Sequence, residues 1–251
     1  MKVSVQHNNK TFSADLSEGI DLSISVKTGD TVNAYYAHPV KMEPYTSGNW
    51  IGSVEKGGPV NYRDIFLNPH GNCTHTECVG HIAETVHSVN ANFKQFHMVA
   101  QLISVTPNKL ANGDDVIELE QLKSLDLQRC DGVVIRTLPN TASKLSKVYS
   151  GQNPPYLHHE AIAYLVQNGC KHLVLDVPSI DRESDEGKLL GHRAFWNYPD
   201  NPRMDCTVTE LAFIPTEVKD GLFLLNLQVA PFENDASPSR PLIFPLTQLS
   251  I

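Results

Sequence analysis

Short runs of alternating apolar and polar residues punctuate the chain, and most are too brief for helices. Val3-Ser4-Val5 and Thr11-Phe12-Ser13-Ala14 flank Asn8-Asn9-Lys10, which predicts a hairpin over residues 1–14. Asp21 to Val26 alternates again and predicts a strand. From Asn33 to Asp64 the periodicity stops. This long irregular segment carries Tyr35, Tyr36, His38, Pro39, Tyr45 and Trp50, and reads either as the wall of a substrate pocket or as surface loops anchored by aromatic rings. Met98–Val105 and the β-branched run Gly132–Leu138 predict strands, with a short strand and a helical turn between Asp115 and Leu127. Gly221–Val229 is a strongly apolar strand, and a turn from Asn234 leads into a final strand ending near Phe244.

Helical spacing is clearest in one place. After Pro154-Pro155, the residues Leu157, Ala161, Ile162, Leu165 and Val166 recur at the helical period, and Gly169 stands where a C-cap belongs. His172–Val177 then returns to a strand. Strand, helix and strand predict a crossover unit with a parallel pair. Asp176 ends its second strand, where active-site groups sit in α/β sheets, or else it caps the turn at Pro178-Ser179. Residues 182–205 are charged and rich in proline, an exposed excursion around Leu189–Trp196 in which His192 alone reads as a packed core histidine. Glu210 lies among apolar neighbours and needs a partner, because a carboxylate buried alone is costly.

Composition narrows the class. The 251 residues are 41% apolar and 19% charged, with a net charge of -8 and no cluster of lysine or arginine. This describes a globular protein and argues against nucleic acid or an anionic membrane as partner. No apolar run approaches the roughly 20 residues of a membrane span, and the N-terminus lacks the apolar core of a signal peptide. Five scattered cysteines suit reduced thiols and a cytoplasmic location better than a disulfide framework. With no repeat and no linker, one domain over 1–251 is expected.

Candidate chemistry concentrates in Asn68-Pro69-His70-Gly71-Asn72-Cys73-Thr74-His75-Thr76-Glu77-Cys78-Val79-Gly80-His81. Gly71, Asn72 and Gly80 oppose a helix. On an extended backbone His75, Glu77 and His81 project to one face. Two neutral imidazoles and a carboxylate make a first set of ligands for zinc or manganese. The competing reading is a polar loop whose histidines bond locally; His81, with partners far downstream, favours the metal. Cys73 and Cys78 alone make weak evidence for a zinc knuckle.

These residues resemble the cyclase family of metal-dependent hydrolases, which includes bacterial kynurenine formamidase and isatin hydrolase. The family's signature, His-x-Gly-Thr-His-x-Asp-x-Pro-x-His, overlays Gly71 to His81, keeping Thr74, His75 and His81 and replacing the aspartate by Glu77. Its first histidine falls on Gly71, its glycine on Cys73 and its proline on Val79. His70 lies one position early and would regain the site only if a bulge re-aimed it. Asp21-Leu22-Ser23, Gly132–Thr137, Asp176 with Ser179 and Asp181, then His192, Glu210 and Asp235–Pro241 follow the family's order.

The resemblance implies an α/β single domain of the swivelling β/β/α type, with a central mixed β-sheet or barrel and few helices. It implies a homodimer acting on a small-molecule substrate. The activity it implies is hydrolysis of a C–N amide bond in an aryl formamide or cyclic amide, through water activated by a divalent metal, zinc or manganese. His75, Glu77 and Glu210 would hold the metal, with His70 as a further ligand. His81 and His192 would complete a second metal site or move protons. The rival reading is a small-molecule binding protein that kept the pocket and lost catalysis, suggested by Gly71 at the first-ligand position.

Overall fold

The computed structural model describes residues 1–249. Among these residues nine strands form the main sheet. In chain order they are β1 (Ile20–Asp21), β2 (His75–Glu77), β3 (His97–Val105), β4 (Gly132–Thr137), β5 (His172–Leu175), β6 (Thr207–Glu210), β7 (Gly221–Asn226), β8 (Ala236–Pro238) and β9 (Leu242–Pro245). Their spatial order is β8-β2-β6-β5-β4-β3-β7-β9-β1. The central four, β6, β5, β4 and β3, run parallel, and every outer neighbour is antiparallel. This mixed sheet curls into a half-barrel with few helices, the architecture expected of the α/β class.

The parallel strands carry continuous apolar runs because both faces are covered. In β4, Val133 and Ile135 join the core beneath the helices with Leu165, Leu173, Phe195 and Trp196, while Val134 joins Leu22, Leu102, Val174 and Leu225 on the opposite face. The helices are short: α1 (Pro69–Asn72), α2 (Val89–Asn92), α3 (Leu119–Lys123), α4 (His159–Gln167) and α5 (Leu190–Trp196). Helix α4 is the predicted crossover helix. It ends at Asn168, and Gly169 takes the left-handed conformation (φ 94°) expected of the residue after a C-cap. Strands β4 and β5, on either side of it, pair in parallel as predicted.

Several expectations need correction. The strand foreseen from Asp21 to Val26 stops at Asp21, because Ser23 bonds the Asp21 carboxylate through both its amide and its hydroxyl, a local turn that competes with the ladder. The irregular segment from Asn33 to Asp64 holds two small antiparallel ribbons, Lys41–Pro44 with Arg63–Phe66 and Thr46–Ser47 with Trp50–Ile51. Tyr45, Trp50 and Tyr62 stack edgewise there, with centroids 5.5–6.0 Å apart. The supposed exposed excursion 182–205 contains α5, whose Phe195 and Trp196 are fully buried. Asp176 is structural: it accepts from Lys144 and from the amide and hydroxyl of Thr137. No helix among the described residues is long and apolar enough to cross a membrane.

His172, at the start of β5, is buried against Phe93, 5.3 Å between rings, and its Nε2 has no partner. Burial holds its pKa down to about 4, against 6.5 when solvated. The unfolded chain therefore takes up this proton first, and stability is lost as pH falls from about 6.5 toward 4, by on the order of 3 kcal/mol in full. We predict that thermal melts between pH 7 and pH 4 will show a shallower loss of Tm for His172→Gln than for the parent. Parallel slopes would refute the assignment.

Candidate metal centre

Strand β2 is the pivot of the site. Period two places His75 and Glu77 on one face. Antiparallel pairing with β6 sets Glu210 directly opposite His75, and Val208 opposite Glu77. On the other edge of β2, β8 sets Ala236 opposite Glu77, which delivers Asp235 beside it. Just upstream, α1 is a single helical turn that starts with Pro69, while the Asn68 side chain accepts from the Gly71 amide. It presents His70. Downstream, a 3-10 turn over Val79–His81 brings His81 back over Glu77. The fourth imidazole arrives on α5, whose first turn is tied down by Asp181 accepting from the amides of Gly191 (2.6 Å) and His192 (3.0 Å).

Each of three rings bonds outward with one nitrogen and faces a carboxylate with the other. His75 Nδ1 lies 3.0 Å from the Cys73 carbonyl, which can only accept, so the proton is on Nδ1 and the Nε2 lone pair points at Glu210 Oε2, 3.4 Å away. His192 Nδ1 donates to Asp181 at 2.6 Å, and its Nε2 lies 3.2 Å from Glu77 Oε1. His70 Nε2 donates to Asp235 at 2.9 Å, and its Nδ1 lies 3.2 Å from Glu77 Oε2, off the axis of a hydrogen bond. His75 Nε2 and Glu77 Oε2 are thus buried without hydrogen-bond partners. Lone pairs aimed at carboxylates repel unless a cation, either a proton or a metal ion, lies between them. A divalent ion fits this donor set. His70, His75 and Glu77 can each offer one ligand atom, all within 4.8 Å of one another, and so can Glu77, His81 and His192.

Protons take the cation's place when no metal does. Burial disfavours charge on His70, but the hydrogen bond to Asp235 and the nearby Glu77 carboxylate outweigh it and raise its pKa to about 10. His192 behaves alike: burial opposes charge, Asp181 and Glu77 prevail, and its pKa rises to about 10. Burial pushes the Glu77 carboxyl up, yet the imidazoles of His81, His192 and His70 hold it well below the usual carboxylate range. Bonds from His70 and His81 hold Asp235 down as well. A metal must displace these protons, so uptake is expected to release them.

The six sequence candidates, His70, His75, Glu77, His81, His192 and Glu210, all meet here. Two arrive on local structure that was not expected. His81 comes by a 3-10 turn rather than along an extended strand, and His70 by a helical turn where glycine and asparagine argued against helix. His192, which reads alone as a core histidine, lies 3.2 Å from Glu77, in the cluster where the resemblance puts it. Gly71 has a packing reason of its own: a Cβ there would lie 2.4 Å from Ala37 Cβ and 2.7 Å from the Ala34 carbonyl oxygen. No side chain fits at the position where the signature has its first histidine, and His70 on the same turn enters instead. Asp235 was missed as a site residue, although the closing motif that contains it follows the family. It accepts from His70 and lies 3.3 Å from His81 Nδ1. Cys73 and Cys78 are buried and stand outside these ligand sets.

The site opens into a cleft of about 290 Å³ lined by Tyr35, Ala37, His81, Ser179, Leu189 and His192 among others. The sequence profile of the Putative cyclase family matches residues 20–182, and the chain belongs to that family. Among solved structures it is similar to a potential metal-dependent hydrolase with cyclase activity, at 17% identity and a TM-score of 0.61 over 90% of this chain and 96% of the other. It is similar to a predicted metal-dependent hydrolase from Bacillus stearothermophilus, at 17% identity and 0.61 over 90% and 97%. It is also similar to isatin hydrolase A from Labrenzia aggregata bound to benzyl benzoate, at 14% identity and 0.64 over 90% and 93%. No curated protein matches the chain.

The packing account of Gly71 and His70 makes a paired prediction. Gly71→Ala should lower stability by about 1–3 kcal/mol through overpacking against backbone, with metal stoichiometry unchanged in the folded fraction. His70→Ala should leave a folded protein that binds zinc at least 10-fold more weakly, read by competition with a chromophoric chelator. Unchanged zinc affinity in His70→Ala would remove His70 from the site.

Proposed function

We propose that the protein is a metal-dependent hydrolase of C–N amide bonds in small aryl formamides or cyclic amides. The observation that carries the reading is the buried set of lone pairs on His70, His75 and His192 facing Glu77 and Glu210, which a divalent cation, zinc or manganese, would satisfy. His70, His75, Glu77, His192 and Glu210 would hold it, in one site or two that share Glu77. Family membership and the fold of the neighbours support hydrolysis. The isatin hydrolase neighbour supports the amide class.

A bound ion of this kind would lower the pKa of a water to roughly 7 and polarise the substrate carbonyl. The chain's own residues supply the rest. The side chain of His81 is 31% exposed and lines the cleft, with Nδ1 3.3 Å from Asp235. It is the group placed to take a proton from the attacking water and pass one to the departing nitrogen. Asp235 orients that ring, and its bond to His70 couples the orientation to a metal ligand. Asp181 fixes the ring of His192. Glu210 is held by the Ile180 amide through one oxygen, 3.0 Å, and offers the other. The rival reading of a binding protein rested on Gly71, and packing against Ala34 and Ala37 now accounts for that residue.

The test is to load the purified protein with zinc or manganese, measure metal content, and assay formylkynurenine and isatin. Turnover is expected with at least one ion per chain, and His81→Gln should cut kcat by about 10²–10⁴ while keeping the metal. No stoichiometric metal together with no turnover would sink the proposal. Full activity in His81→Gln would transfer the proton role to another group.

A further inference from the structure

Tyr35 stands at the mouth of the site in a conformation that needs a reason. It and Tyr36 are consecutive non-glycine residues in the left-handed region, φ 55° and 53°, where bulky side chains are strained. The surroundings enforce the turn. Asn33 donates from its side chain to the Ala37 carbonyl (2.9 Å), Ser150 accepts from the Tyr36 amide (2.8 Å), and the Tyr149 amide donates to the Asn33 carbonyl (2.7 Å). Such over-determined strain gathers at functional positions. The turn also sits on α1: Ala34 and Ala37 are the atoms that exclude a side chain from Gly71. One packing contact therefore sets both the ligand His70 and the ring of Tyr35.

The ring itself bridges the cleft. Its hydroxyl donates to the Pro178 carbonyl at 3.1 Å on the far side, beside Ser179. Yet the residue remains 40% exposed and lines the cleft together with Ala37, Leu189, His81 and His192, which leaves part of it accessible there. A tyrosine serving only as a structural latch would bury its ring, and a residue serving only the turn would be glycine or asparagine. An open aromatic face pinned at both ends over a polar, metal-fitting floor is suited to a planar ring lying against it.

We propose that Tyr35 is a specificity-determining residue, the stacking face for the planar aryl or fused-ring part of the substrate. This deepens the amidohydrolase reading and rests on it for the identity of the substrate, though not for the stacking itself. The test compares two ligands with the same metal-binding head, benzohydroxamate and acetohydroxamate, by calorimetry on the zinc-loaded protein. The parent should bind the aryl ligand about tenfold more tightly. Tyr35→Gly, a residue at ease at φ 55°, should retain the fold and bind the two ligands alike. Tyr35→Phe should keep the preference. An aryl preference that survives in Tyr35→Gly, or equal binding or no binding by the parent, would overturn the inference. Turnover of formanilide is measured alongside. If it is absent while the Tyr35-dependent preference holds, the amidase reading fails and the stacking role stands.

Discussion

One buried carboxylate governs this molecule. Glu77 is fully buried in the middle strand of the site, within reach of three imidazoles from three separate elements. A charge so placed is tolerated only when opposite charge surrounds it, and losing a single partner from a buried set costs several kcal/mol. His70, His81 and His192 must therefore stay where they are, and so must the groups that aim them. Asp235 and Asp181 form an outer ring of acceptors. The whole is an alternation of carboxylate and imidazole around a centre that requires positive charge.

The sheet makes this arrangement possible by a change of strand direction. The four parallel strands build the core, and β2 enters antiparallel at their edge beside β6. That pairing brings His75, from the first third of the chain, opposite Glu210, from the last quarter. Strand β8 closes the other side and adds Asp235. The polar residues thus sit at the seam between the parallel core and its antiparallel border, where the ladder still satisfies backbone groups while His75 and Glu77 of β2 face the other imidazoles and carboxylates of the cluster.

Much of this could be read from the chain. Period-two spacing correctly paired His75 with Glu77, because a strand dictates which side chains share a face whatever lies around it. The crossover helix and parallel strands were legible for the same reason: the apolar spacing between Pro154 and Gly169 admits one regular structure. What escaped was set by contacts between distant segments. Glycine and asparagine at 71 and 72 oppose a helix in isolation, and the turn forms because Asn68 caps it and the 34–37 segment packs on it. His192 among apolar neighbours looks like a core residue until Asp181 is known to grip its ring. Asp235 carried no local signal beyond its place in a closing motif, since its meaning comes from a β-pairing that joins residues far apart. Tyr35 offered only its place in an aromatic segment, and backbone strain leaves no mark in composition.

Gly71 shows how a cluster of imidazoles and carboxylates can assemble without the signature's first histidine. On a strand, moving a ligand by one position turns it to the opposite face and destroys the site. On a helical turn the same step rotates the side chain by only about 100°, and from α1 the ring of His70 comes within 3.2 Å of Glu77. Here His70 stands on the single helical turn of α1, and the 34–37 segment packs closely onto the neighbouring glycine. At 77 a glutamate stands where the signature has aspartate, and its carboxylate lies 3.2–3.7 Å from ring nitrogens of His70, His81 and His192. These rings come from three separate elements, so the cluster is more legible in space than in sequence.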